Sequence, residues 1–137
     1  MHHLHIATAC LFNPQGQLLI VRKRGTQAWM LPGGKRDGDE TPLQALLREL
    51  NEELQLTMRA ADFTPLGQFS AVAANEAATQ VHAHVFVAHT PLQQAVQQAA
   101  EIAELQWLSL DQPLPANLAP LLHKQVIPAL LIRTQAA

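Results

Sequence analysis

Glu49, Glu52 and Glu53 constrain this chain more than any other feature, because they stand at i, i+3 and i+4 of a readable helix and so share one face. Each like-charged neighbour pair costs roughly 0.2 to 0.5 kcal/mol in an exposed helix, so the cluster asks for a cation. Oxygen-only ligands at this density suit a hard divalent ion, Mg²⁺ or Mn²⁺, better than zinc, which prefers nitrogen and sulfur. The helix can be read locally over 42 to 54. Thr41 fits the N-cap, Pro42 the first turn, and Gln44 completes a capping box. Leu43, Leu46, Leu47, Leu50 and Leu54 form an apolar stripe whose centre lies about 120° from the glutamates, at 100° per residue. One face packs and the other binds. Arg48, four residues before Glu52, is close enough to orient that carboxylate.

Gly34, Glu40, Arg48-Glu49-Leu50, Glu52-Glu53 and Leu56 together resemble the signature of the Nudix hydrolases, G-x5-E-x7-R-E-U-x-E-E-x-G-U. Eight of its nine fixed positions match. The departure is Gln55, where the family has a glycine that lets the chain turn at the helix end. It bears on the geometry after Leu54, not on the three glutamates upstream. Flanking segments resemble the MutT-type nucleoside triphosphate pyrophosphohydrolases: Leu4 to Ala7 with Gly16 to Lys23, Leu31 to Lys35, Trp107 to Leu110, and Pro115 to Asn117.

The resemblance implies an α/β/α sandwich around a mixed sheet. It also implies hydrolysis of a nucleoside diphosphate linked to another moiety, a nucleoside triphosphate first among the candidates, with MutT-like action on an oxidised purine nucleotide within that class. It implies metal held by the Gly33 carbonyl, Glu49, Glu52 and Glu53, joined by Glu101 when substrate is bound. Glu104 competes with Glu101 for that place, and Glu101 is favoured. Glu49 or Glu52 is the implied base, and Arg48 belongs to the same machinery. Arg22 or Lys23, Gly34 and Lys35 are the implied phosphate or base contacts. Asn117 stands where the family places an asparagine reading a purine edge, although it could equally cap the closing helix. An ADP-ribose or nucleotide-sugar hydrolase is the alternative within the enzyme class, and a non-catalytic nucleotide-binding module the alternative outside it. The intact glutamates argue against the module.

With 137 residues and 48% hydrophobic content, one α/β domain over 1–137 is expected. Apolar runs fall short of the roughly 20 residues that cross a bilayer, and Met1-His2-His3 lacks the pattern of a signal peptide, so a cytoplasmic protein without membrane contact is expected. A monomer or homodimer fits. The net charge of −2 hides a polarised distribution: five of nine basic residues lie in 22–36 and six of eleven acids in 37–53. Cations beside a metal-binding acid cluster suit a polyphosphate. No extended nucleic-acid footprint is present. Cys10 is the only cysteine, so no intrachain disulfide can form, and its apolar surroundings predict a buried, inert thiol. His82 and His84 alternate on a strand without a cysteine or third histidine nearby in sequence, which reads as a base contact or a half-buried histidine before a metal site.

Strands are expected at 4–13 and 17–24, joined by the turn Asn13-Pro14-Gln15-Gly16, then at 63–73, 79–89 and 104–109. Residues 91–100 are expected as a loop or short helical turn over the site. Residues 118–133 should form a closing helix bent at Pro128.

Overall fold

The computed structural model describes residues 1–74 and 76–136. Helix α1 (Pro42–Leu54) starts as its sequence dictates: Thr41 Oγ1 accepts from Gln44 N–H at 3.1 Å while Gln44 Oε1 accepts from Thr41 N–H at 2.9 Å. It ends at Gln55, which is left-handed at φ 55° and ψ 35°. Gln55 N–H donates to Asn51 O at 3.0 Å and Leu56 N–H to Leu50 O at 3.2 Å, while the fully buried Leu56 side chain pins the turn to the core. The chain thus makes the left-handed exit without the glycine that would make it freely.

A four-stranded mixed sheet runs in the order β3 (Gly33–Lys35), β1 (His2–Cys10), β5 (Thr79–Ala88), β4 (Phe63–Val72). β1 pairs parallel with β5 and antiparallel with β3, and β4 pairs antiparallel with β5. Asn75, in the segment between β4 and β5, lies outside the described residues. A second, two-stranded antiparallel sheet pairs β2 (Leu18–Lys23) with β6 (Ile102–Leu108). Helix α1 covers one face, meeting Ala7, Ala9, Leu11 and Phe86. The closing helix covers the other, meeting Cys10, Val85 and Val87. The result is an α/β/α sandwich. Burial of Cys10 pushes its thiol up to about 12, so it stays protonated and inert.

Three expectations need correction. The Asn13–Gly16 turn forms, with Asn13 Oδ1 accepting from the Gln15 and Gln17 N–H groups at 3.1 and 2.8 Å, but the strands it joins do not stay paired. Only the Phe12–Leu18 bridge links them, because β1 is an interior strand flanked by β3 and β5 and has no free edge for β2. Residues 91–100 are a loop, one of the two forms expected, but they do not line the cavity. They run along the end of α1, where Gln97 N–H and Ala99 N–H donate to Leu54 O and Glu53 O at 3.2 and 2.8 Å, satisfying carbonyls that the helix leaves open. The closing helix does not begin at Leu118, which bridges to Trp29. It has a π-helical stretch at Leu121–Val126 before α2 (Ile127–Ala136). Pro128 has no N–H to donate, and the widened register lies immediately before it, with Ile127 N–H reaching Leu122 O.

Candidate active site

Gly33 and Gly34 begin the site, because both bring backbone where no side chain fits. A Cβ on Gly33, at φ 140°, would lie 2.1 Å from Ala7 O, and one on Gly34 would meet the Glu49 carboxyl carbon at 2.6 Å. The strand β3 can therefore press against both β1 and the glutamate face of α1.

Arg48 organises that face. Its Nε and Nη2 donate to the two Glu40 oxygens at 2.8 and 2.9 Å, its Nη1 to Glu49 Oε1 at 3.0 Å, and its Nη2 also to Lys35 O at 3.0 Å. Glu52, the partner anticipated from i,i+4 spacing, is the looser contact at 3.5 Å. The bidentate hydrogen bonds from Arg48 hold the Glu40 carboxyl down at about 2, and Glu40 in turn keeps the guanidinium more firmly protonated. Residues 35–40 are thereby clamped to the helix.

Beneath them Glu53 is 1% exposed. Its Oε1 accepts from Gly33 N–H at 3.2 Å, while Oε2 has no hydrogen-bond partner among the described residues and lies 3.9 Å from the Lys23 Nζ. Burial pushes this carboxyl up to about 7, against the opposing pull of Lys23 and Gly33. Glu49 is raised by burial too. Lys23 Nζ also lies 3.3 Å from Glu101 Oε1.

A cavity of about 480 Å³ opens above these groups. Its wall is mixed: Lys23, Lys35, Asp37, Glu49, Glu76 and Glu101 bring charge and Gly33 and Gly34 bring backbone, while Leu4, Ile6, Val72, Val81, Leu121 and Leu122 are aliphatic. Of the residues anticipated from sequence, Lys23, Gly33, Gly34, Lys35, Glu49 and Glu101 come together in this wall. Glu53 sits behind the wall, and Glu52 is half-exposed and outside the lining. Arg22 faces away, hydrogen-bonded to Glu104 and to Thr26 O, which also accounts for Glu104. Asn117 lies outside the lining as well: its Nδ2 donates to Gln27 O at 3.2 Å, and the closing helix starts too late for it to act as a cap. His82 and His84 do not line the cavity. His82 is stacked with His3 and His5 at 5.1 and 5.0 Å and hydrogen-bonded to His3 and Ser70. Thr8 and Thr26 line the cavity without having been anticipated; for Thr8 the alternation Leu4, Ile6, Thr8 along β1 was the available signal.

The donors fit a hard divalent ion in kind, all being oxygens, and the buried Glu53 Oε2 is an orphan that a cation would satisfy. They are not drawn together as they stand: Glu49 and Glu52 are turned to Arg48, and among the described residues no group of three or more acidic, histidine or cysteine side chains is gathered for a metal. No helix among them is long and apolar enough to cross a membrane.

Comparison with known proteins shows the family and the fold. The RNA pyrophosphohydrolase of Marinomonas sp. (strain MWYL1) is 52% identical over 46 residues, covering 34% of this chain and 29% of that protein. The chain therefore matches less than a third of that relative's length. Among solved structures, the MutT NUDIX hydrolase from Burkholderia pseudomallei superposes with a TM-score of 0.73 at 25% identity, covering 94% of this chain and 97% of the other. The MutT protein from Methanosarcina mazei Go1 gives 0.68 at 28% identity, covering 85% and 87%. Because the NUDIX domain model matches residues 1–130, which hold the whole of β1, the clamped glycine strand and the glutamate helix, the chain belongs to the Nudix family.

Proposed function

We propose that the protein is a Nudix pyrophosphohydrolase that cleaves a nucleoside triphosphate with water to a nucleoside monophosphate and pyrophosphate, using Mg²⁺ or Mn²⁺. The observation that carries this reading is the buried Glu53 carboxylate, with one oxygen unpartnered among the described residues, behind the wall of a cavity lined by both charged and aliphatic side chains. A cavity of this size accommodates one small ligand, and a lining that mixes charged and aliphatic groups suits a nucleotide. The Gly33 carbonyl, Glu49, Glu52 and Glu53 would hold the metal, with Glu101 joining. The bound ion supplies charge neutralisation of the phosphate oxygens and a water of lowered pKa.

The chain's own residues divide the remaining work. Lys23 and Lys35 bind phosphate oxygens, with Lys23 exchanging its carboxylate partners for substrate. Gly34 lets the backbone approach without displacing Glu49. Arg48 orients Glu49 and ties down the 35–40 segment. Glu49, which lines the cavity, is favoured over Glu52 as the group that takes the proton from the attacking water. This reading describes a cytoplasmic enzyme, monomer or homodimer, acting on free nucleotides.

The test is a screen of purified protein with Mg²⁺ or Mn²⁺ against the common ribo- and deoxynucleoside triphosphates, 8-oxo-dGTP, ADP-ribose, nucleotide sugars and a 5′-triphosphorylated oligoribonucleotide. Pyrophosphate release from a free triphosphate supports the proposal. Turnover confined to ADP-ribose, a nucleotide sugar or the oligonucleotide would reassign the substrate, and binding without turnover of any would make the chain a sensing module.

A further inference from the structure

β4 is the end strand of the four-stranded sheet and pairs within it only with β5. In an antiparallel ladder, bonded and non-bonded pairs alternate, and the residues of non-bonded pairs turn their N–H and C=O groups away from the partner strand. Ala73 N–H donates to Thr79 O at 2.9 Å, one step beyond the Val72–Gln80 pair. Val72, Ser70 and Gln68 are therefore the non-bonded members, and their backbone groups point to the open edge. Among the described residues, no hydrogen bond outside the ladder engages the backbone of these three, and all three are exposed.

Proteins usually blunt such an edge with proline, a bulge or charge. The first half of β4 is blunted in this way, since Pro65 has no N–H and the register shifts between Pro65 and Gly67. The second half is bare. None of the ten residues of β4 is charged, and Val72 at its end is 58% exposed. The opposite edge of the sheet differs. There β3 is three residues long, and helix α1 occupies it through Glu53, which accepts from Gly33 N–H, and Arg48, which donates to Lys35 O.

The pattern of β4 selects its occupant. A two-fold axis sets a strand against its own copy, so any charge near the axis would meet a like charge. A strand without charge escapes that penalty. With Ser70 on the axis, Ser70 lies opposite the partner's Ser70 and Gln68 opposite the partner's Val72, so that about six backbone hydrogen bonds close. We infer that β4 is the interface of a homodimer, in which residues 68–72 of two copies pair antiparallel about Ser70 and join the two sheets into one. Val72 also lines the cavity, so this pairing fixes one stretch of the cavity wall.

The experiment measures self-association of the full chain by sedimentation equilibrium, for wild type, Ser70→Lys and Ser70→Pro. Ser70→Lys sets two ammonium groups against each other on the axis, and Ser70→Pro removes an N–H that only the partner would use. Wild type should reach twice the mass of one chain with rising concentration, and both variants should associate at least about tenfold more weakly while staying folded by circular dichroism. A third arm reads the register. In a bonded antiparallel pair the Cα atoms lie about 5.5 Å apart, within disulfide reach. Ser70→Cys should therefore cross-link to a covalent dimer under mild oxidation, whereas Gln68→Cys, which faces the partner's Val72, should not; Cys10 is buried and takes no part. If Ser70→Pro fails to fold, Ser70→Lys and the cross-link decide. A wild type that stays monomeric from nanomolar to millimolar concentration overturns the inference and leaves the edge to a foreign strand. A dimer that Ser70→Lys does not weaken, or one that cross-links at Gln68→Cys and not at Ser70→Cys, overturns it as well.

Discussion

Gly34 lies so close against Glu49 that a Cβ there would meet the carboxyl carbon at 2.6 Å and its oxygens at 2.8 and 2.9 Å. The obstructing atoms are the end of a flexible side chain, so Gly34→Ala is relieved by swinging the Glu49 carboxylate aside. At Gly33 the obstruction is Ala7 O and Thr8 Cα, both backbone, with φ at 140°. Two neighbouring glycines should therefore respond differently. Gly34→Ala should lose roughly 10²-fold or more in turnover while costing less than about 1 kcal/mol of stability, and Gly33→Ala should lose stability by several kcal/mol. Urea unfolding and steady-state kinetics on both variants check this. A Gly34→Ala protein with full activity would remove Glu49 from the machinery.

Burial holds the Glu53 carboxyl up at about 7. In metal-free buffer the folded protein keeps a proton there that the unfolded chain releases near 4.5. This contribution is therefore full below about 4.5 and is lost as pH rises through about 7. The full shift corresponds to up to about 3 kcal/mol. In EDTA, wild-type Tm should fall between pH 5 and 8, at roughly the span of the two titrations, whereas Glu53→Gln should stay flat and lose turnover by orders of magnitude. Mg²⁺ should flatten the wild-type curve by engaging the ionised carboxylate. A wild-type Tm that is flat in EDTA contradicts the buried orphan.

Gln55 occupies a left-handed backbone at φ 55°. Glycine adopts that conformation without the Cβ penalty, so Gln55→Gly should raise stability by up to about 1 kcal/mol despite the greater freedom it gives the unfolded chain. Denaturant midpoints at constant slope measure this. A destabilised variant would mean that the Gln55 side chain contributes more than the strain it bears.

How much of this was legible depended on how local the causes were. The limits of α1, its capping box and the shared glutamate face follow from neighbouring residues, and they were readable in 41–56. The main partner of Arg48 was not, because spacing along a helix suggests Glu52, while Glu40 reaches Arg48 only through the folded 35–40 segment. The separation of β2 from β1 depends on β5 and β3 taking both edges of β1, contacts that a period-2 pattern cannot express. The same parallel pairing places His5 beside His82, creating a stacked histidine group from positions 77 residues apart, by simple difference. Glu53 was foreseen as a ligand by resemblance, but its near-complete burial follows from the glycine strand lying over it.

The clamp between Arg48 and Glu40 makes the final prediction. Arg48 donates to both Glu40 oxygens, to Glu49 and to Lys35 O, a pattern that needs a planar fork. Lysine keeps the charge and loses the fork, so Arg48→Lys should cost roughly 1 kcal/mol at pH 7 and lower turnover by releasing Glu49 and the 35–40 segment together. The Glu40 carboxyl is held at about 2, below its usual value of 4.5, so the stability it contributes is present above 4.5 and lost as pH falls toward 2. The gap between wild type and Arg48→Lys should accordingly be widest at neutral pH and shrink by more than half at pH 3. Urea titrations of both proteins at the two pH values measure it. An equal gap at both would mean that the arginine stabilises through packing of its aliphatic stem, with the carboxylate pair contributing little.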